Sequence, residues 1–118
     1  MTTFKQIYTL DERKRSSDKI LKMYPEYIPI VIESGTKNTP AMDNKKFIFS
    51  KKAKVLFIIN EIRKRIKISP DEALFIMVGD KQVMPMISLT MEEVYNRYHD
   101  EDGFLYIKYS VENTFGIK

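Results

Sequence analysis

Between Val55 and Ile66 the apolar residues Val55, Ile58, Ile59, Ile62 and Ile66 recur at steps of three and four, while Lys54, Asn60, Arg63, Lys64 and Lys67 fall elsewhere. That spacing puts an apolar stripe and a basic face on one helix. The stripe must be buried against something, and the flanking segments supply it. The run Ile28, Pro29, Ile30, Val31, Ile32 is compact and rich in β-branched residues, with Pro25 before it and Ser34, Gly35, Asn38 and Pro40 after it. It reads as a buried strand followed by a loop. Residues 46–50 form a second short strand, and residues 73–78 a third that turns at Gly79 and Asp80 into a short extended piece around residues 83–86. Residues 104–109 form the last strand. Thr9 stands three residues before Glu12, and Thr90 three before Glu93, which is the spacing of reciprocal helix caps. These caps predict helices over residues 11–24 and through Met91, Val94, Tyr95 and Tyr98, the second stopping before an acidic loop at residues 100–103. The order helix, β, β, helix, β, short β, helix, β predicts a mixed sheet cradling one long helix in two layers, an α+β arrangement with neighbouring strands antiparallel.

A chain of 118 residues supports one core. It has no cysteine and one histidine, which excludes disulfides, thiolate metal sites, cysteine nucleophiles and paired histidine ligands. His99 therefore reads as a helix-end residue, and Glu92 with Glu93 as a solvated face rather than a catalytic pair. No catalytic constellation, metal site or cofactor is expected. No apolar run exceeds six residues, the length of Ala73 to Val78, where a membrane-spanning helix needs roughly twenty. The expectation is a soluble protein of a reducing compartment. Charge is segregated: residues 37–67 carry ten Lys or Arg against two Asp or Glu, and residues 92–102 carry one against five. A basic face supplied by Lys45, Lys46, Lys51, Lys52, Lys54, Arg63, Lys64, Arg65 and Lys67 would attract acidic peptides, anionic lipid or nucleic acid. A merely solvated face is the plainer reading. The sequence has no glycine-rich phosphate loop, and its aromatics do not follow an RNA-recognition strand, which disfavours nucleic acid.

Three segments together resemble a known family. They are the run Tyr24-Pro25-Glu26-Tyr27-Ile28-Pro29-Ile30-Val31-Ile32-Glu33, the segment Ile62-Arg63-Lys64-Arg65-Ile66, and residues 100–116, which read DEDGFLYIKYSVENTFG. The chain is similar in this, along nearly its whole length, to the autophagy ubiquitin-like modifiers of the GABARAP and microtubule-associated light chain three group. The resemblance implies a ubiquitin-like β-grasp domain over residues 25–116, a helical extension of two helices over residues 1–24, and a tail, residues 117–118, removed on processing. It also implies chemistry at Gly116. Such proteins are trimmed by a cysteine protease, activated and transferred by partner enzymes, and joined through this glycine to phosphatidylethanolamine on autophagosomal membranes. A residue without Cβ can thread a narrow enzyme channel and leave its carboxylate unhindered. Phe115 and Ile117 would flank the cut.

Recruitment in the family uses an aromatic-x-x-aliphatic peptide, carried by cargo receptors, that adds a strand to a sheet edge and seats two anchors. The natural edge is residues 46–50. By family position the aromatic pocket would draw on Ile20, Pro29, Lys46, Ile48 and Phe104, and the second pocket on Phe47, Phe49, Ile58 and Glu61. Each apolar member could equally be plain core. The chain departs from the family pattern at Leu10, Ser50, Ala53 and Glu61. Because burying a carboxylate unpaired is costly, Glu61 at the wall of the second pocket would turn to solvent, Lys64 or Arg65, or else this pocket accepts a different anchor. Three readings stand at this point: a conjugated modifier in the cytoplasm and on autophagosomes, a non-conjugated β-grasp adaptor for peptides or cytoskeletal acidic tails, and a nucleic-acid binder. Only the first accounts for the C-terminal motif.

Overall fold

The computed structural model describes residues 2–36, 39–42 and 44–113. Its elements are α1 (Phe4–Ile7), α2 (Leu10–Met23), β1 (Tyr27–Ser34), β2 (Lys46–Ser50), α3 (Val55–Ile66), β3 (Glu72–Val78), α4 (Met91–Tyr98) and β4 (Leu105–Asn113). The strands form one sheet in the order β2-β1-β4-β3. β1 pairs with β2 antiparallel and with β4 parallel, and β3 with β4 antiparallel.

Both expected caps close their helices. Thr9 accepts from the Glu12 N–H while Glu12 accepts from the Thr9 N–H, and Thr90 with Glu93 does the same. Thr3 and Gln6 build a third such box on α1, which the apolar pattern had not revealed because four residues are too few to show a period. The two N-terminal helices that the family resemblance implied are thus present. α3 begins differently. Lys54 gives no side-chain cap, and the Val55 and Leu56 N–H groups instead donate to the carbonyls of Leu89 at 2.9 Å and Ile87 at 3.1 Å. A distant loop therefore satisfies donors that a helix start leaves open.

The sheet has helices on both faces, three layers rather than the expected two. On one face Ile28, Ile30 and Ile32 of β1 and Leu105, Ile107 and Tyr109 of β4 pack with Val55, Ile58, Ile62 and Ile66 of α3 and with Met91 and Val94 of α4. On the other face Val31 and Phe104 meet Phe4, with Ile20 and Tyr106 alongside. β1 lies between the two helical layers, which is why its apolar run is continuous rather than alternating. Each of its isoleucines, taken out of water on folding, contributes on the order of 1.5–3 kcal/mol.

Two further expectations are corrected. The hairpin after Gly79 is a single bridge, Val78 with Val83, with no second strand. The segment at residues 100–103 is not simply a solvated acidic loop: Asp102 is buried and its carboxylate meets Arg13 Nε at 2.8 Å.

Candidate functional site: an open sheet edge between two helical layers

Among the described residues, β2 is bonded on one side only. Its register against β1 pairs Pro29 with Ile48 and Ile30 with Phe47, and flanking bonds run from the Ile32 N–H to the Lys45 carbonyl at 2.8 Å and from the Lys51 N–H to the Glu26 carbonyl at 3.0 Å. In an antiparallel pair the hydrogen-bonded positions alternate. Lys45, Phe47, Phe49 and Lys51 therefore turn their backbone groups toward β1, and Lys46 and Ile48 turn theirs outward. The outward groups form a ready template for an added strand. Pro29, which has no N–H, sits opposite Ile48 one residue before β1 begins to pair with β4, so no ladder bond is lost there.

The side chains of β2 separate by face. Phe47 and Phe49 lie toward α3, with ring centroids 5.9 Å apart and nearly parallel; Phe49 meets Phe57 edge-on at 6.3 Å. Arg65 stands over the Phe47 ring at 5.1 Å. Lys46, on the opposite face, reaches α2 and donates to Ser16 Oγ at 3.3 Å.

Two clefts flank this edge. One of about 780 Å³ opens at the C-terminal end of β2, where Tyr27, Ile48, Phe49, Ser50, Ala53 and Phe57 are among its lining residues, with Lys52 and Lys54 at its border. The other, about 690 Å³, lies between the N-terminal helices and the start of β2 and includes Phe4, Tyr8, Arg15, Lys45 and Lys46.

The sequence-derived residues distribute unevenly over this geometry. Ile48 and Phe49 line the first cleft and Lys46 the second. Ile20 and Phe47 are half-buried beside them. Pro29 is buried under the N-terminal layer, and Phe104 is wholly covered, its ring 5.2 Å from that of Phe4. Ile58 is a core residue of α3 with no exposed surface. Glu61 bonds to Lys64 at 3.1 Å and is not part of the cleft lining, so its charge is paired, one of the arrangements the sequence left open. Phe115, Gly116 and Ile117 lie outside the described residues.

Leu56, Phe57 and Tyr27 are cleft residues that sequence reasoning missed. Leu56 and Phe57 fall just off the apolar stripe of α3, and that offset was the available signal. His99 caps the end of α4, stacked on Tyr95 with centroids 4.9 Å apart. Among the described residues no acidic or histidine cluster could hold a metal, and no helix is long and apolar enough to cross a membrane.

A mixed sheet, parallel at its centre, wrapped on α3 and carrying two N-terminal helices, defines a ubiquitin-like β-grasp protein with an open edge. The chain belongs to the autophagy protein Atg8 ubiquitin-like family, whose model matches residues 12–116. It is 39% identical to autophagy-related protein 8d of Arabidopsis thaliana, over 99% of this chain and 97% of that protein. It is 40% identical to autophagy-related protein 8 of Schizosaccharomyces pombe, over 96% and 93%. The crystal structure of Trypanosoma brucei ATG8 superposes with a TM-score of 0.86 at 31% identity, covering 98% of this chain and 99% of that one.

Proposed function

We propose that this protein is an autophagy modifier, not an enzyme: processed after Gly116, conjugated there to phosphatidylethanolamine on autophagosomal membranes, and recruiting partners through the open edge of β2. Family membership over residues 12–116, a span that ends on Gly116, is the observation that carries the reading. A tail-processing cysteine protease would remove Ile117 and Lys118, reading Phe115 on the way. Activating and conjugating enzymes would then join the glycine carboxyl to the lipid amine. Two acyl chains, at about 0.8 kcal/mol per buried CH₂, hold a protein on a bilayer that one chain holds only marginally. The division that goes with this reading is a helical extension over residues 1–24, the β-grasp over residues 25–116 and residues 117–118 removed on processing.

Cargo receptors with aromatic-x-x-aliphatic motifs would pair with the outward backbone groups of Lys46 and Ile48. The aromatic anchor would enter near Ile20, Pro29, Lys46 and Ile48, over the buried Phe104. The second would enter beside Phe47 and Phe49, with Ile58 beneath and the Glu61–Lys64 pair at the side. The basic rim favours acidic flanks, chiefly through on-rate and specificity.

The test is the intact mass of the protein after incubation with reducing extract of its source cells, followed by vesicles containing phosphatidylethanolamine. Loss of Ile117 and Lys118 and gain of one lipid, both abolished by Gly116→Ala, are expected. An unchanged mass in an extract that processes other family members sinks the conjugation reading.

A further inference from the structure

Two places in the sequence set a hydroxyl directly before proline, Thr39-Pro40 and Ser69-Pro70. Proline has no N–H and biases the residue before it toward extended backbone, so such a pair suits the clefts of protein kinases that require proline after the acceptor. The fold separates the two. Thr39 is 4% exposed, and its hydroxyl is bonded to that of Thr36. Ser69 is exposed, in the turn that joins α3 to β3. That turn carries proline at its second position: the Glu72 N–H donates to the Ser69 carbonyl at 3.0 Å, and the Ser69 N–H donates to Glu72 Oε1 at 2.9 Å. The Ser69 hydroxyl donates to Asp71 at 2.8 Å, and Asp71 is itself exposed. The turn also stands at the end of the molecule where β4 runs out. Glu72 pairs with Asn113, and Gly116 follows three residues later, within about 10 Å even at full extension. The charges of this corner balance. Asp71 and Glu72 face Lys67, at the end of α3, and Arg63, whose guanidinium donates to the Glu72 carbonyl at 2.6 Å.

We propose that Ser69 is a phosphorylation site for a proline-directed kinase, and that its phosphate opposes the approach of the Gly116 end of the protein to anionic bilayers. The second half of the inference rests on the attachment at Gly116 given above. In the modification the γ-phosphoryl group of a nucleoside triphosphate passes to Ser69 Oγ. A new P–O bond replaces the one to the nucleoside diphosphate, which leaves, and the hydroxyl proton goes to a base of the kinase. The product carries about −1.5 to −2 charges at pH 7. Set beside Asp71 and Glu72, just past the carbonyl end of α3, it turns a neutral corner negative. An anionic leaflet acts on each charge near its surface, with an energy that falls off within a Debye length. A chain joined to lipid through Gly116 keeps this corner close to the bilayer, so the phosphate acts at the end of the molecule where attachment takes place.

The experiment incubates the folded protein with a proline-directed kinase and ATP and maps the product by mass spectrometry. One phosphoryl group on Ser69, lost in Ser69→Ala, is expected, with Thr39 unmodified. Phosphate on Thr39 instead, or on neither residue while a synthetic peptide spanning residues 64–75 is modified, overturns the site. The phosphorylated and unmodified proteins, each trimmed after Gly116, are then given to the activating and conjugating enzymes with two kinds of vesicle. Both contain phosphatidylethanolamine, one with phosphatidylserine and the other with phosphatidylcholine. On the phosphatidylserine vesicles the phosphoprotein should be attached about tenfold more slowly at low salt, and the difference should shrink as salt is raised. On the phosphatidylcholine vesicles the two rates should agree, which also shows that the phosphorylated protein remains folded. Equal slowing on both vesicles assigns the effect to the enzymes and overturns repulsion by the bilayer, and no slowing on either overturns the regulatory role. If the unmodified protein is attached to neither vesicle, the Gly116 reading falls and the effect on attachment with it, while the mapping of Ser69 still decides the site.

Discussion

Asp102 is buried with every contact accounted for. Its Oδ2 accepts from Arg13 Nε at 2.8 Å and from the Tyr106 hydroxyl at 2.6 Å, its Oδ1 from the Phe104 N–H at 2.8 Å, and its carbonyl from Ser17 Oγ at 2.5 Å. Burial, and then this bond to Asp102, push the Tyr106 phenol well above the ordinary tyrosine range. The next residue, Gly103, has φ +89°, and a Cβ there would sit 2.4 Å from Ser17 Oγ, so only glycine fits between strand and helix. Removing the charge of Asp102 leaves a mostly buried guanidinium unpaired, a loss on the order of 3–5 kcal/mol. Asp102→Asn should therefore lower the urea midpoint at neutral pH sharply. Glu61→Gln, which breaks the pair with the largely exposed Lys64, should shift it by no more than about 1 kcal/mol. Equal shifts would show that the Arg13 contact is not the anchor described.

At the scale of the element, β2 makes a prediction that depends only on register. Proline removes a backbone donor, which matters where the donor is used. The Ile48 N–H faces outward and the Phe49 N–H faces β1, so Ile48→Pro should leave the sheet folded and weaken an aromatic-x-x-aliphatic peptide at least tenfold, as an outward bond and an anchor contact are lost together. Phe49→Pro should destabilise the protein by about 3 kcal/mol. Circular dichroism melts beside peptide titrations separate the two, and a folded Phe49→Pro with an unfolded Ile48→Pro would reverse the register. The same elements show what a sequence discloses. β1 was legible because both of its faces are buried, and α3 because one stripe must face the sheet. The Thr boxes marked α2 and α4 because a cap is a local event. Arg13 and Asp102 were illegible, since 89 residues separate them and each stands in a run of charged residues. At the site, Ile48 and Phe49 were readable from the edge strand. Ile58 is buried because it faces the sheet from α3, and Phe104 because Phe4 packs on it, whereas Leu56 is exposed because a loop, not a layer, meets the helix start.

For the whole molecule, the two helical layers are held by different forces. The α3 side rests on a broad apolar cluster, while the N-terminal layer rests on Phe4, Val31 and Phe104 together with polar clips. Lys5 bonds to Asp100 at 2.7 Å, the Phe4 N–H donates to Glu33 at 2.7 Å, and Arg13 holds Asp102. For Asp100, partial burial alone would raise the carboxyl pKa, but the Lys5 hydrogen bond and the Asp102 N–H bring it below the ordinary value. Glu12, which caps α2, is also lowered, first by its backbone bond to Thr9. A carboxylate whose pKa is depressed by folding adds stability that is fully present above its unfolded pKa, about 3.9 for Asp and 4.3 for Glu, and that is lost as pH falls through the folded pKa. The N-terminal layer should therefore loosen below about pH 4 while the apolar α3 layer still holds. Hydrogen exchange followed by mass spectrometry at pH 7 and in steps below pH 4, corrected for intrinsic rates, should show the amides of α1 and α2 losing protection before those of β1 and β4. Asp100→Asn should reduce the acid dependence of α1 at the cost of a small loss of protection at neutral pH. Uniform loss across both layers would mean that the apolar contacts of Phe4, not the carboxylate clips, set the stability of the N-terminal layer.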